Sequence, residues 1–367
     1  MSKKATLTSK AYLLPFVLVT SLFFLWGFAR AILDVLNKHF QNVLDISITQ
    51  SSLIQVSTYL GYFIMAIPAG WFINRQGYRR GVVFGLLLFG IGAFMFIPGA
   101  LAGSFYGYLV ALFVIGCGLV FLETSANPYV TELGDPQTST ARLNFSQSFN
   151  GLGSMTATLA IGQFLFSGDA DSDDIVKPYI ILGFLVLLIA VVFSRVDLPE
   201  IKHKETEEDR MQDTRIMKLF RHHPMFVFGL FSLLAYEVAE ISINSYFINF
   251  VTGQGWMADD TASLVLTCAL GFFMIGRFIG AWIMRRVKAE TMLLICGIGT
   301  VTCMGLVLLN LGRLSMMALI CNYFFEAIMF PTIFSLALRG LGNLTKSAPS
   351  LLMMTPIGGR GFLLRQV

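Results

Sequence analysis

The sequence predicts an all-α polytopic membrane protein made of two helix bundles related by a parallel repeat. Three observations predict it. The 367 residues are 55% hydrophobic and 13% charged, against roughly 25% charged in soluble domains. Apolar runs about 20 residues long recur along the chain, the length a helix needs to cross a bilayer. The short alternating segments of a β-barrel do not occur. Finally, the second half of the chain repeats the pattern of the first.

The spans fall at 12–36, 52–74, 81–99, 104–129, 142–166, 177–194, 224–250, 261–284, 290–310 and 314–338. The basic N-terminus "MSKKATLTSK" leads into the first run with no small-residue cleavage site after it, so this run is expected to be retained as a helix. Residues 195–222, "RVDLPEIKHKETEEDRMQDTRIMKLFRH", form the one long mixed-charge connection. The expected organisation is a six-helix bundle over 1–194, a cytoplasmic linker over 195–222 and a second, incomplete bundle over 223–367. Nineteen Lys and Arg fall in segments on one side, against Lys38, Lys177 and Arg313 on the other. By the positive-inside rule the N-terminus is cytoplasmic.

"LGYFIMAIPAGWFINR" (60–75) aligns with "LGFFMIGRFIGAWIMR" (270–285) at an offset of 210 residues, which also lays the first span on the seventh. Two halves in one orientation are the parallel-repeat plan of major facilitator transporters. By the repeat, the second half stops about two spans short. The expectation is 10–11 spans, with a C-terminal end lost by truncation or frame shift.

Composition excludes several chemistries. The five cysteines lie in apolar runs without a CxxC spacing, which fits reduced core thiols rather than disulfides or a metal site. No HExxH or GxSxG occurs and the four histidines fall in connecting segments, so no enzyme is expected. The net charge of +4 is distributed as loop charge and points to no nucleic-acid partner.

Charges inside spans are costly and default to function. There are seven: Arg30, Asp34, Glu123, Glu237, Glu240, Arg277 and Glu326. Five acids outnumber two bases, and an unpaired buried carboxyl favours its neutral form. A carboxyl that gains and loses a proton is what proton-coupled transport requires. Glu123 stands out, because no base lies on its own helix; Asn127 shares its face and Pro128 is expected to end the helix. Gln147 and Asn150 share a face of the fifth span, and Glu237, Glu240 and Asn244 form a stripe on the seventh. Amides and carboxylates suit a neutral polyhydroxylated ligand, since each hydroxyl both donates and accepts. Trp26, Tyr246 and Phe330 offer flat apolar surfaces for a sugar ring. Structural readings stand beside these. Arg30 and Asp34, four apart, fit a simple helix-face pair. Arg277 lies in a small-xxx-small packing face and could neutralise Glu240. Glu326, Asn244 and Asn322 could merely join helices. "GWFINRQGYRR" (70–80) follows a transporter loop signature, with Asn74 where an acid is usual and Arg75 expected to act in conformational change.

"PFVLVTSLFFLWGFARAILDVL", "GYFIMAIPAGWF", "CGLVFLETSANPYVTELG", "RLNFSQSFNGLG" and "FPTIFSLALRGLG" resemble the fucose permease family of the major facilitator superfamily, which holds L-fucose/proton symporters and glucose/galactose transporters. The resemblance runs from about 12 to 359. It implies proton-coupled uptake of L-fucose or a related hexose across a bacterial inner membrane by a multi-pass, monomeric carrier, with protons as coupling ion and no other cofactor. It assigns proton handling to Asp34 and Glu123 and sugar contacts to Gln147 and Asn150. Two departures, Arg30 where the symporter has Asn and Glu240 where it has Gln, leave open a glucose/galactose-type carrier. A shortened chain that binds sugar without transporting it is the other alternative.

Overall fold

The structure, a computed structural model, describes residues 7–44, 48–165, 176–196, 198–199, 219–341, 344 and 348–355. The helices are α1 (Leu13–Leu44), α2 (Ile48–Gln76), α3 (Tyr78–Phe94), α4 (Phe96–Leu101), α5 (Phe105–Glu132), α6 (Ser139–Leu165) and α7 (Val176–Arg195), followed by α8 (Pro224–Gly253), α9 (Asp259–Ile283), α10 (Ala289–Leu308), α11 (Arg313–Glu326), α12 (Met329–Ala337) and α13 (Ala348–Leu352). Most of the linker expected at 195–222 lies outside the described residues.

Among the described residues nine stretches are long and apolar enough to cross a membrane, with α3 and α4 forming one of them and α11 and α12 another. The fifth expected span is helical as α6 but is not one of the nine. Its described part carries Asn150 together with Arg142, Asn144 and Gln147, and the last three bond to protein groups rather than facing lipid. Two expectations need correction. Pro128 does not end its helix, since α5 runs through it to Glu132. Proline removes one helical donor, and inside a helix bundle neighbouring groups make up that loss. The tenth span is not continuous either, but breaks at Ala327 and Ile328.

Packing repeats between the halves. α2 and α3 both pack on α5, and α9 and α10 both pack on α11. α1 lies along α6, while α7 covers α3. The halves meet where α6 packs on α9 and α12, and where α13 packs on α2. The largest buried cluster follows this junction, running from Phe23, Phe89 and Phe121 in the first half to Phe334 and Met353 in the second. At the turn between α2 and α3, Gly77 has φ 86°, a left-handed conformation that favours glycine.

Candidate functional site

Glu123 is buried on α5, 5% exposed. Its Oε1 accepts a hydrogen bond from the Tyr62 hydroxyl of α2 at 2.8 Å, and Tyr62 stacks on Tyr59 with ring centroids 5.5 Å apart. Sequence reasoning missed both tyrosines. A phenol in an apolar run reads as core, and only its three-residue spacing on one helix face hints at a pair. Arg30 on α1 lies within electrostatic reach of Tyr59, Glu123, Glu237 and Glu240, so a base of the first half faces acids of the second. The side chains of Asp34 and Tyr246 lie outside the described residues.

The amides divide into two groups. Asn127 and Gln147 are fully enclosed. Gln147 Nε2 donates to Asn127 Oδ1 at 3.0 Å, and Asn127 Nδ2 donates to Met353 Sδ at 3.8 Å. In contrast, Asn150 Nδ2, Trp26 Nε1 and Asn244 Oδ1 are buried atoms with no hydrogen-bond partner among the described residues. Trp26 and Asn150 are brought near each other by the crossing of α1 and α6, where Ser154 Oγ donates to Gly27 O at 3.0 Å. Phe330 is buried on α12 against Tyr236 and Phe334, so its ring is already partnered.

Arg277 departs from its expected pairing. Its Nε donates to Ala327 O at 3.0 Å, at the helix break, and its Nη1 donates to Gln147 O at 3.0 Å across the halves. Its guanidinium lies 4.5 Å from the Phe273 ring centroid. Glu240 is half-buried and within electrostatic reach, but Arg277 directs its donors to the Ala327 carbonyl at the helix break and to the main-chain and side-chain oxygens of Gln147. Further cross-half contacts follow along α6. Thr140 and Ser335 hydroxyls lie 2.9 Å apart, Asn144 Nδ2 donates to Thr332 Oγ1 at 3.2 Å, and Phe145 and Phe149 meet Phe278 edge-on.

Two bases of the loop signature make different contacts. Arg75 sits over the Trp71 ring, 4.3 Å from its centroid, on its own helix. It is Arg79 that ties the loop to another helix, donating to Phe193 O at 3.1 Å and to Ser194 O at the end of α7. Such contacts satisfy terminal carbonyls and complement the helix dipole. Arg142, counted as a loop charge in the sequence, is 0% exposed. It donates to Val130 O, Thr131 O, Asp135 O, Thr138 Oγ1 and Leu7 O, clasping the end of α5, the turn to α6 and the N-terminal segment. A cleft of about 960 Å³ beside this turn is lined by Gln137, Arg285, Lys288 and Arg339 and holds none of the sugar candidates.

This geometry has close counterparts. The chain is 34% identical to an L-fucose-proton symporter of Haemophilus influenzae, over 97% of this chain and 88% of that protein. It is 32% identical to a glucose/galactose transporter of Brucella abortus, over 96% and 87% respectively. A crystal structure of the Escherichia coli fucose:proton symporter superposes with a TM-score of 0.86 at 30% identity, covering 97% of this chain and 93% of that one. A second, described as the outward conformation, gives 0.85 at 31% identity, covering 98% and 94%. The family model described as Major Facilitator Superfamily matches residues 19–355. The chain therefore belongs to the major facilitator superfamily, as a membrane carrier and not an enzyme.

Proposed function

We propose that this chain is a proton-coupled carrier of a neutral hexose, L-fucose or a glucose/galactose-type sugar, working by alternating access. The observation that carries the reading is the set of unpartnered buried atoms on three helices: the donors Trp26 Nε1 and Asn150 Nδ2 and the acceptor Asn244 Oδ1. Each such atom costs about 1–3 kcal/mol if left unmet. A sugar supplies hydroxyls that both donate and accept, so one ligand can satisfy all three vacancies. The names of the relatives support the same ligand class and the same coupling ion.

Glu123 takes the proton-coupling role, oriented by Tyr62, with Asp34 beside it in the cycle. Protonation of these acids permits sugar to bind, and proton release resets the empty carrier. Protons are the coupling ion and no other cofactor takes part. Gln147, Asn127 and Glu240 are held in reserve for sugar contact, Phe330 backs the apolar wall, and Arg30, Arg75 and Arg277 serve charge balance and conformational change. The two bundles move about the linker at 195–222 within the lipid bilayer of a bacterial inner membrane. The carrier acts as a monomer with its N-terminus in the cytoplasm. In that orientation the contacts from Thr140 to Gln147 close the cytoplasmic end, so the arrangement described here faces outward.

The test is uptake of labelled L-fucose and D-galactose into proteoliposomes by the Glu123→Gln carrier. Proton-driven accumulation is lost, while counterflow, which needs no proton cycling, survives. Accumulation equal to the wild type would refute the assignment.

A further inference from the structure

The second half holds an acid that the reading above leaves unused. Glu326 is the last residue of α11, immediately before the helix break, and is 2% exposed. One carboxyl oxygen accepts from Asn322 Nδ2, one turn back, at 2.8 Å. The other, Oε1, has no partner among the described residues. Asn322 Oδ1 and the Tyr323 hydroxyl on the same turn are also unpartnered, as is Asn244 Oδ1 on α8.

α8 brings Tyr236 and Glu240 within electrostatic reach, α9 brings Arg277, and α11 itself brings Tyr323. α12 carries no titratable residue. The Tyr236 hydroxyl donates to the main-chain oxygen of Glu326 at 3.2 Å, not to the carboxyl. Arg277 directs its Nε to Ala327 O and its Nη1 to Gln147 O, and no ion pair reaches Glu326 among the described residues. A charged Glu326 thus lacks a counter-ion at salt-bridge distance, and a neutral one lacks an acceptor for its O–H. A buried carboxyl beside a base that is engaged elsewhere in this arrangement is suited to giving up its proton when that base is released. Broken helices near the middle of a bundle are also where transporters of this construction place ion sites.

We propose that Glu326 is a second proton-binding site, in the half of the carrier opposite Glu123, loaded and emptied in each transport cycle. This rests on the proton-coupled reading above. Arg277 supplies the link to conformation. While the halves meet at Gln147, its Nη1 is engaged across the junction and Glu326 holds its proton. When that junction opens, the freed guanidinium can turn to the nearby carboxyl. The carboxyl O–H bond then breaks, the proton passes to water in the open cavity, and the carboxylate remains beside Arg277. Conformation and proton occupancy bias each other by the same free energy.

The experiment measures protons and labelled sugar moved together in proteoliposomes containing a pH-sensitive dye, for the wild type and Glu326→Gln. Counterflow reports folding. The variant is expected to retain counterflow and to move one proton fewer per sugar. Loss of one coupled proton lowers the limiting accumulation about 50-fold for each 100 mV of driving force. A wild type that couples while Glu326→Gln keeps the same ratio overturns this site alone. A wild type that moves sugar without protons overturns the proposed function and this site together. A measurement on a carrier that keeps Glu326 covers failure of the variant to fold. Infrared difference spectra of Asp34→Asn/Glu123→Gln, recorded between acid and alkaline pH, must retain a buried protonated-carboxyl band that responds to pH. Absence of that band overturns the proposal.

Discussion

A methyl group at Gly27 tests how the site is assembled. On α1 it would lie 1.9 Å from the main-chain oxygen of Asn150 and 2.7 Å from its carbonyl carbon. Side-chain β-carbons essentially never approach a heavy atom within 3.0 Å, so α1 and α6 must part by about 1.1 Å. Main-chain atoms cannot swing aside as a side chain does. Nor can the helices pivot, because Gly153 on α6 makes the reciprocal approach to Phe24, where a methyl group would lie 2.0 Å from the main-chain oxygen. The forced separation falls between Trp26 and Asn150 and stretches the 3.0 Å bond from Ser154 to Gly27 O. Overpacking of this kind costs about 1–3 kcal/mol of stability, and misplacement of a working group by about 1 Å can cost about 100-fold in rate. Gly27→Ala should therefore lower both the thermal midpoint and the initial uptake rate, the rate by up to two decades. Gly271 is the control. It lies in the segment that repeats the second span, and a methyl group there meets nothing within 4 Å. Gly271→Ala should leave transport unchanged and stabilise its helix by up to about 1 kcal/mol. Initial rates of labelled-sugar uptake and thermal unfolding of the purified variants decide it. Wild-type rate and stability in Gly27→Ala would refute the close-approach argument.

Two further outcomes follow from the hydrogen bonds. Tyr62→Phe removes the donor to Glu123 and leaves the fold intact; the lost bond, worth about 1.5 kcal/mol, should slow proton-driven uptake about tenfold while sparing counterflow. Equal loss of uptake and counterflow would show that Tyr62 acts on sugar binding instead. Arg142→Met keeps the buried volume but removes the donors of five hydrogen bonds, and should lower stability by about 3 kcal/mol or more. Thermal unfolding in detergent checks it, and an unchanged midpoint would show that the clasp carries little energy.

The sequence made the spans legible because lipid demands continuous apolar runs. It hid what those runs do inside the protein. Glu123 was visible as an anomaly, whereas Tyr62, its hydrogen-bond partner, was not, because a tyrosine near a helix centre has no sequence cost to draw attention. Arg142 was misread for a related reason. The positive-inside rule counts a base by its place along the chain, and burial is decided by the turn packed over it. The break at Ala327 and Ile328 was signalled by Pro331, which has no N–H for the Ala327 carbonyl and whose ring crowds it, a local cue that the continuous apolar run masked. Tertiary hydrogen bonds hold it, with Arg277 on one carbonyl and Tyr236 on its neighbour.

The expected sugar contacts make more sense as two sets than as one. Asn127 and Gln147 have their amides engaged with each other, with Met353 and with Arg277, in a chain that crosses from the second half to the first and back. Trp26, Asn150 and Asn244 have buried atoms with no hydrogen-bond partner among the described residues. A rigid binding protein would gain by satisfying all of them at once. A carrier must instead release its ligand on the far side, and a ligand shifts a two-state equilibrium only through contacts that differ between the states. Residues that bind sugar in one state and the opposite half in the other meet that requirement. On the proposed sugar reading Trp26, Asn150 and Asn244 would receive the sugar in the arrangement described here. Gln147 and Asn127 would become available as the junction at Arg277 opens, which would make the exchange of partners at Gln147 part of the transport step.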